Sequence, residues 1–563
     1  MKRGGLAYIW NDLEKVTMTA LSSSEIAQRL EKLTELSLEL SNNHDTPLLL
    51  ENILRSAKSI TYADGGTLYR TSQDKQSLCF NISLNDTLNM YQGGVKGQTV
   101  DIPNISLIDT NGNKNLNAVA AYAANYKLSV NIQDVYTVGV FNFSGTRNFD
   151  QQFNYKTKSL LTVPMHDHEG ELIGVLQLIN ATDPENGEPR PFSETDQRFI
   201  EALASQAAIA LTNQQLISQL ENLFVSLVHL INIGIDEKSP HTGRHCQHVP
   251  ELTMLLANAV HETREGPLAH FSMTDKDRKE LWMAGILHDC GKISTPVHVV
   301  EKSTKLETIF DRIQLLDTRF EVLKRDAEIR VWKSKCALYQ ASINNENLIA
   351  ELEQGLQAEL AKIEDARNFL RKLNIGSERT SPEDLQRVAD VATWQWTDAD
   401  GGVQPFLSAN EVENLSVRAG TLNAQERAII NNHISTTIKM LEALPWPKHL
   451  QNVPEYAGGH HERMDGKGYP RGLRGEQMSV QAKIMAIADI FEALTAKDRP
   501  YKDGKTLTES LHILGSFALN GHIDPDLFNI FVRKKVYLTY AERFMDKSQI
   551  DDVDLSKVPG FKA

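Results

Sequence analysis

Residues 460–470, His-His-Glu-Arg-Met-Asp-Gly-Lys-Gly-Tyr-Pro, set two adjacent histidines and two carboxylates ahead of a Gly-Tyr-Pro bend. Alone, this is a polar loop. It gains meaning from side chains far away in sequence: Glu237 with His241, His288-Asp289 followed by Lys292, His433, and Asp489. Imidazole and carboxylate ligands without thiolates suit iron, manganese or zinc rather than a structural Cys-type zinc site. Two or more such ions lower the pKa of a bridging water and clamp a phosphodiester for in-line attack. Lys292 would then offset charge on the phosphate oxygens. Glu237 and His241 are one helical turn apart, and Pro240 places a helix start near them. Adjacent His288 and Asp289 cannot point the same way on a helix, but both reach a binuclear centre if the carboxylate bridges. Cys290 has no base partner in sequence and reads as a buried neighbour. His245, His248 and His261 read as surface or helix-packing residues, and Arg463 and Lys467 as solvated loop charges.

The elements that must position these groups follow from periodicity. Only His44, His166 and His168 precede His229, so fourteen of the seventeen histidines lie in the C-terminal part, which reads as mostly helical. The N-terminal part is different. Helical spacing covers 24–40 and 48–60, strand candidates follow at 66–70 and 78–82, and a hairpin is expected from 159–165 and 172–179 around Asp167-His168-Glu169-Gly170. That order predicts an α+β sensor-like domain. From Ser193 a helical run passes Leu230, with Ile209, Leu216, Leu223 and Leu230 seven apart and Leu220 and Leu227 on the complementary heptad position. Between 306 and 420 lies a polar, charged amphipathic stretch, read as a solvated helical hairpin or coiled coil.

At 563 residues the chain exceeds one core, and two or three domains are expected. A net charge of −14 argues against general binding of nucleic-acid polymers or anionic membranes. No uninterrupted run of about 18 apolar residues is present, so membrane insertion is not expected. Cys79, Cys246, Cys290 and Cys336 are scattered without a CxxC, which fits free thiols in a reducing cytoplasm.

Residues 28–215 resemble a GAF domain, through Lys158-Ser-Leu-Leu-Thr-Val-Pro164 and Gly174-Val-Leu-Gln-Leu-Ile-Asn180. Asn180, Phe192 and Asp196 are similar to the cyclic-nucleotide-binding subset. Ala181 and Gln197 depart from its pattern, where that subset has Lys and Glu. The C-terminal part resembles the HD-GYP family of cyclic di-GMP phosphodiesterases, within the HD metallohydrolases. The resemblance covers 225–305 and 420–540, and rests on His288-Asp289, on 460–470 with its Gly468-Tyr469-Pro470, on Asp489-Ile-Phe-Glu-Ala-Leu-Thr495, and on Arg499-Pro500-Tyr501.

The implied organisation is a leader (1–27), a GAF sensor domain (28–192), a signalling and dimerisation helix (193–231), an all-α HD-type metallohydrolase domain (232–540) with a helical insertion (306–420), and a tail (541–563). The resemblance implies a metal-ligand set of Glu237, His241, His288, Asp289, His433, His460, His461 and Asp489, with Asp289 bridging. Glu237 matches a carboxylate of members holding three metals, so two or three divalent ions, iron or manganese, are implied. Lys292 would contact the scissile phosphate, Arg474 would help hold the substrate, and Tyr469 would shape the lip. The implied protein is a cytoplasmic homodimer with a small-molecule ligand at its GAF domain. It hydrolyses cyclic di-GMP to pGpG and then GMP. The same fold could instead act on another cyclic dinucleotide, or bind cyclic di-GMP as a scaffold without turnover.

Overall fold

The computed structural model describes residues 27–35, 46–95, 97–98, 102–238, 240–341, 345–376, 379–497 and 504–562, excluding the side chains of residues 236 and 240–243. Residues 1–26 of the expected leader and Arg499-Pro500-Tyr501 lie outside the described residues, as does the side chain of His241. The chain divides into two compact units, Met1–Phe224 and Val225–Ala563.

The first unit is built on one antiparallel sheet. Among the described residues its order is β3 (Met90–Gly93), β2 (Ser77–Asn85), β1 (Ala63–Thr71), β7 (Leu172–Thr182), β6 (Leu160–His166) and β5 (Val130–Ile132). The short strands β4 (Ile105–Ser106) and β8 (Pro189–Arg190) pair with β2 and β7. Strand alternation assigns each face its own core. Leu68, Leu161, Val163, Met165, Leu176 and Leu178 point into a cluster with Leu50, Ile53 and Leu54 of helix α1 (Thr46–Thr61). Their neighbours Tyr69 and Val175 pack oppositely, against Ala120, Ala121 and Ala124 of α2 (Val119–Tyr126). The expected hairpin is present as β6–β7, with Leu161 opposite Leu178 and Val163 opposite Leu176.

The first turn of the long helix α3 (Glu194–Lys238) carries Asp196, a buried hub. One carboxylate oxygen takes Arg29 at 2.7 Å; the other takes Arg190 at 2.7 Å and the Ser193 amide at 2.9 Å. The other two residues similar to the cyclic-nucleotide subset also serve the scaffold. Asn180 has a left-handed backbone, and its side chain accepts from the amides of Lys158 and Ser159. Phe192 is in the core.

Ile200, Leu203, Ala207 and Leu211 hold the first turns of α3 in the core of this unit. Beyond them Leu216, Leu220, Leu223, Leu227 and Leu230 are 45–65% exposed and form the heptad stripe. Among the described residues one stretch, Glu194–Ile235, is long and apolar enough to cross a membrane by length and composition alone. Gln214, Gln215, Gln219, Glu221 and Asn222 interrupt that stretch.

In the second unit, α4 (Pro240–His261) and α5 (Asp275–Leu287) lead to a 3-10 turn at Cys290–Ser294. Residues 306–420 then build a small body of their own. Helices α6 (Ile313–Gln340) and α7 (Glu346–Asn374) run antiparallel, laced by Asp317–Arg367, Lys324–Glu364 and Arg330–Glu359 pairs. Phe320, Leu370, Val388 and Phe406 form its core. Two buried lysines seat this body. Lys302 reaches Asn414 and Glu426, each at 2.8 Å, and Lys305 donates to Thr380 and to the carbonyls of Leu415 and Val417. The chain returns through α8 (Ala424–Asn431), α9 (His433–Glu442), α10 (Val453–Gly458) and α11 (Val480–Thr495), and further helices follow.

The arginine pairs predict acid lability for the first unit. Burial alone would raise the pKa of Asp196, but Arg190, the Ser193 amide and Arg29 hold it below the ordinary value. Its contribution is therefore fully present above the unfolded pKa of about 3.9 and is lost as pH falls through the depressed native value. We expect Asp196→Ala to cost about 3 kcal/mol at pH 7 by leaving buried cations unpaired. In thermal melts at decreasing pH, its deficit against the parent should shrink below pH ~4.

Candidate metal centre

Five separate pieces of the second unit deliver the predicted chemistry to one place. The helix break after α5 answers the problem of adjacent His288 and Asp289. His288 caps the helix, and the backbone at Asp289 (φ −106°, ψ 9°) leaves it, so the two side chains can converge. The 3-10 turn packs close against α9. A Cβ on Gly291 would stand 2.0 Å from the His433 carbonyl oxygen, so only glycine fits there.

Asp289 is 2% exposed and its two oxygens face different groups. Oδ2 lies 3.2 Å from His245 Nε2 and 3.3 Å from His288 Nε2, whereas Oδ1 lies 3.1 Å from His433 Nε2. Asp489 Oδ1 completes the first group, 3.1 Å from His245 Nε2 and 3.9 Å from His288 Nε2. His433, His460 and His461 form the second, their ligand atoms within 4.8 Å of one another. His460 also groups with His288 and Asp289. This layout suits two cations sharing Asp289.

Orientation is fixed from behind. The Nδ1 atoms of His288 and His460 lie 2.7 Å and 2.6 Å from the carbonyls of Gly285 and Ala457, and that of His433 meets the Ile430 carbonyl. Each carbonyl is three residues upstream, in the last turn of its helix, where ladder partners run out. Donation from Nδ1 leaves the Nε2 lone pair aimed at the centre. The Nε2 atoms of His433 and His460 are buried without a well-formed hydrogen bond. Orphaned buried acceptors are rare unless a ligand or ion completes them.

The electrostatics agree. Burial, with neighbouring His461 and His288, pushes the His460 pKa well below the ordinary value, and burial takes His461 down to about 4. Both are therefore neutral imidazoles with free lone pairs, as metal binding requires. Burial would raise Asp289 and Asp489, yet Lys292 with His288 and His245 holds Asp289, and His245 above all holds Asp489, well below the usual carboxylate range. The Lys292 ammonium donates to Asp289 Oδ2 at 2.5 Å; burial would lower its pKa, but that carboxylate raises it. Cys290 is a buried thiol whose pKa burial pushes up to about 12, so it is no nucleophile at neutral pH.

The Gly-Tyr-Pro loop forms one wall. The Tyr469 ring stacks on His461, centroids 4.8 Å apart, and burial raises its phenol pKa, keeping it protonated. The two carboxylates of the same stretch are braces rather than ligands. Buried Glu462 accepts from the amides of Arg471 at 2.7 Å and Leu473 at 2.9 Å, and Asp465 pairs with Arg463 at 2.9 Å.

One expectation is corrected: His245, read as a surface or packing residue, is instead 6% exposed at the heart of the first group. Glu237 is exposed, and the side chain of its expected partner His241 lies outside the described residues. Arg474 is exposed at the loop's edge. Sequence held one usable signal for His245: it lies four residues after His241, on the same helical face.

Two family models match the chain: a GAF domain over residues 45–211 and an HD domain over residues 409–527. The second begins at residue 409, near the end of the 306–420 body, so His245, His288 and Asp289 lie upstream of the matched segment. Over 121 residues the chain is 38% identical to a Vibrio cholerae 3′3′-cGAMP-specific phosphodiesterase, covering 22% of this chain and 27% of that protein. It is 36% identical over 116 residues to a cyclic di-GMP phosphodiesterase of Pseudomonas aeruginosa, covering 21% and 27%. A second Vibrio cholerae 3′3′-cGAMP-specific enzyme is 42% identical over 116 residues, covering 20% and 22%. The similarity therefore spans about a quarter of each relative. The chain combines an N-terminal GAF-like α+β fold, a long central helix and an all-α C-terminal region of HD type.

His245→Ala should weaken metal binding more than the roughly 10–100-fold typical of removing an outer partner, because its Nε2 faces both Asp289 and Asp489. Metal titration of chelator-treated protein checks this. Parent-like affinity would place His245 outside the ligand set.

Proposed function

We propose that this chain is a metal-dependent phosphodiesterase that opens a cyclic dinucleotide by hydrolysis. The observation that carries the proposal is the convergence of His245, His288, His433, His460, His461 and Asp489 around a bridging Asp289. Bound divalent ions, for which iron and manganese are the proposed identities, would supply an activated water and charge neutralisation at the phosphate.

The chain's own groups do the rest. Asp289 and Asp489 hold the anionic side of the pocket, and the backbone carbonyls behind three histidines keep their lone pairs directed inward. Lys292, fixed by Asp289, places a cation where a non-bridging phosphate oxygen gathers charge. Tyr469 offers a protonated hydroxyl and a flat ring at the wall. Such a ring suits a nucleobase or ribose edge.

The substrate class is wider than cyclic di-GMP. Similarity to relatives named for 3′3′-cGAMP and to relatives named for cyclic di-GMP supports a 3′,5′-linked cyclic dinucleotide, with the second base undecided between guanine and adenine. The GAF-like domain is proposed as the regulatory input, taking a small molecule. The exposed heptad stripe on α3 is proposed to pair in parallel with a second copy, and the free thiols fit a cytoplasmic protein.

Purified protein loaded with manganese(II) or iron(II) under reducing conditions should linearise at least one of the two dinucleotides, with products resolved by chromatography. Recovery of both uncleaved while they still bind would support the scaffold reading instead. Lys292→Ala should lower kcat about 100-fold or more with metal content retained. Leu220→Glu with Leu227→Glu should halve the solution mass measured by light scattering; an unchanged mass would contradict pairing through this stripe.

A further inference from the structure

His245 is held differently from the other oriented histidines. His288, His433 and His460 sit at helix ends and use a carbonyl three residues upstream. His245 lies inside α4, where the helical ladder already engages the nearby carbonyls. Its Nδ1 instead meets Glu492 Oε2 in a buried contact. Glu492 is 2% exposed and follows Asp489 by three residues on α11, so one face of that helix presents both carboxylates. The two grip opposite nitrogens of one ring: Asp489 faces Nε2, and Glu492 holds Nδ1. Glu492 and His245 both border a cavity of about 310 Å³, lined also by His248, Tyr540, Phe544 and Gln549.

We infer that Glu492 is a positioning residue of the metal centre. Its carboxylate fixes the His245 tautomer with the Nε2 lone pair facing Asp289 and Asp489, and adds negative charge behind the ring. An anionic partner makes an imidazole a stronger donor than a carbonyl partner does. Of these four oriented histidines, His245 is the one with a carboxylate behind the ring. Its group also carries two carboxylate oxygens, from Asp289 and Asp489, whereas the His433 group shares one from Asp289. The two positions are therefore unequal, and a first cation fills the His245 side before the His433 side.

This rests on the metal-centre reading, and the test separates the two. Chelator-treated full-length parent, Glu492→Gln, Glu492→Asp and Glu492→Ala are titrated with manganese(II) by calorimetry, and the metal-free proteins are melted in parallel. The parent should show two unequal steps. Glu492→Gln and Glu492→Ala should weaken the tighter step roughly 10–100-fold, Glu492→Asp should restore part of it, and the metal-free melting temperatures should stay close to the parent's. Parent-like titration of Glu492→Gln, a weakened second step alone, or a loss of affinity that tracks a loss of metal-free stability would each overturn the inference. A parent that binds no manganese(II) overturns the metal-centre reading itself.

Discussion

The second unit depends on one buried anion. Asp289 is shut away from solvent with its two oxygens turned toward different sets of imidazoles. A carboxylate removed from water is costly unless it is paired and fully hydrogen-bonded. Lys292 answers one oxygen directly. The imidazoles facing the other are turned by the carbonyls behind them to present lone pairs, so a cation between them would complete it. The helix break after His288, the close approach of Gly291 to α9 and the loop braced by Glu462 all bring ligands to that one carboxylate.

The 306–420 body is tied into this arrangement rather than hung on its outside. Lys302, fully buried, joins Asn414 of that body to Glu426 on α8. The last turn of α8 supplies the Ile430 carbonyl that holds His433. A displacement of the body would thus reach a metal-facing imidazole through one helix. In the first unit, by contrast, the residues that resemble a cyclic-nucleotide pocket are occupied. Asn180 caps a strand start, Phe192 fills the core and Asp196 clamps the head of α3.

Much of this was legible in the residues, for physical reasons that differ by site. His460-His461 and His288-Asp289 stand out because adjacent metal-type side chains have no packing purpose. The β6–β7 hairpin was legible from two apolar, β-branched-rich runs around a polar turn, and α3 from its heptads. His245 was hidden because it shares a helix with His241, His248 and His261. Which histidine of a helix is buried depends on what packs there, and α11 with Glu492 is more than 240 residues away in the chain. The carboxylates Glu462 and Asp465, which stand outside the implied ligand set, serve the loop backbone. The HD family match likewise begins only at residue 409, near the end of the 306–420 body that separates the first half of the site from the second.

The central claim is that Asp289 bridges two cation positions, one on the His245 side and one on the His433 side. Anomalous scattering from crystals of the manganese-loaded protein tests it directly. The account predicts two peaks flanking Asp289, each within coordination distance of a different carboxylate oxygen. A single peak remote from Asp289, or none at full manganese occupancy in solution, would contradict it.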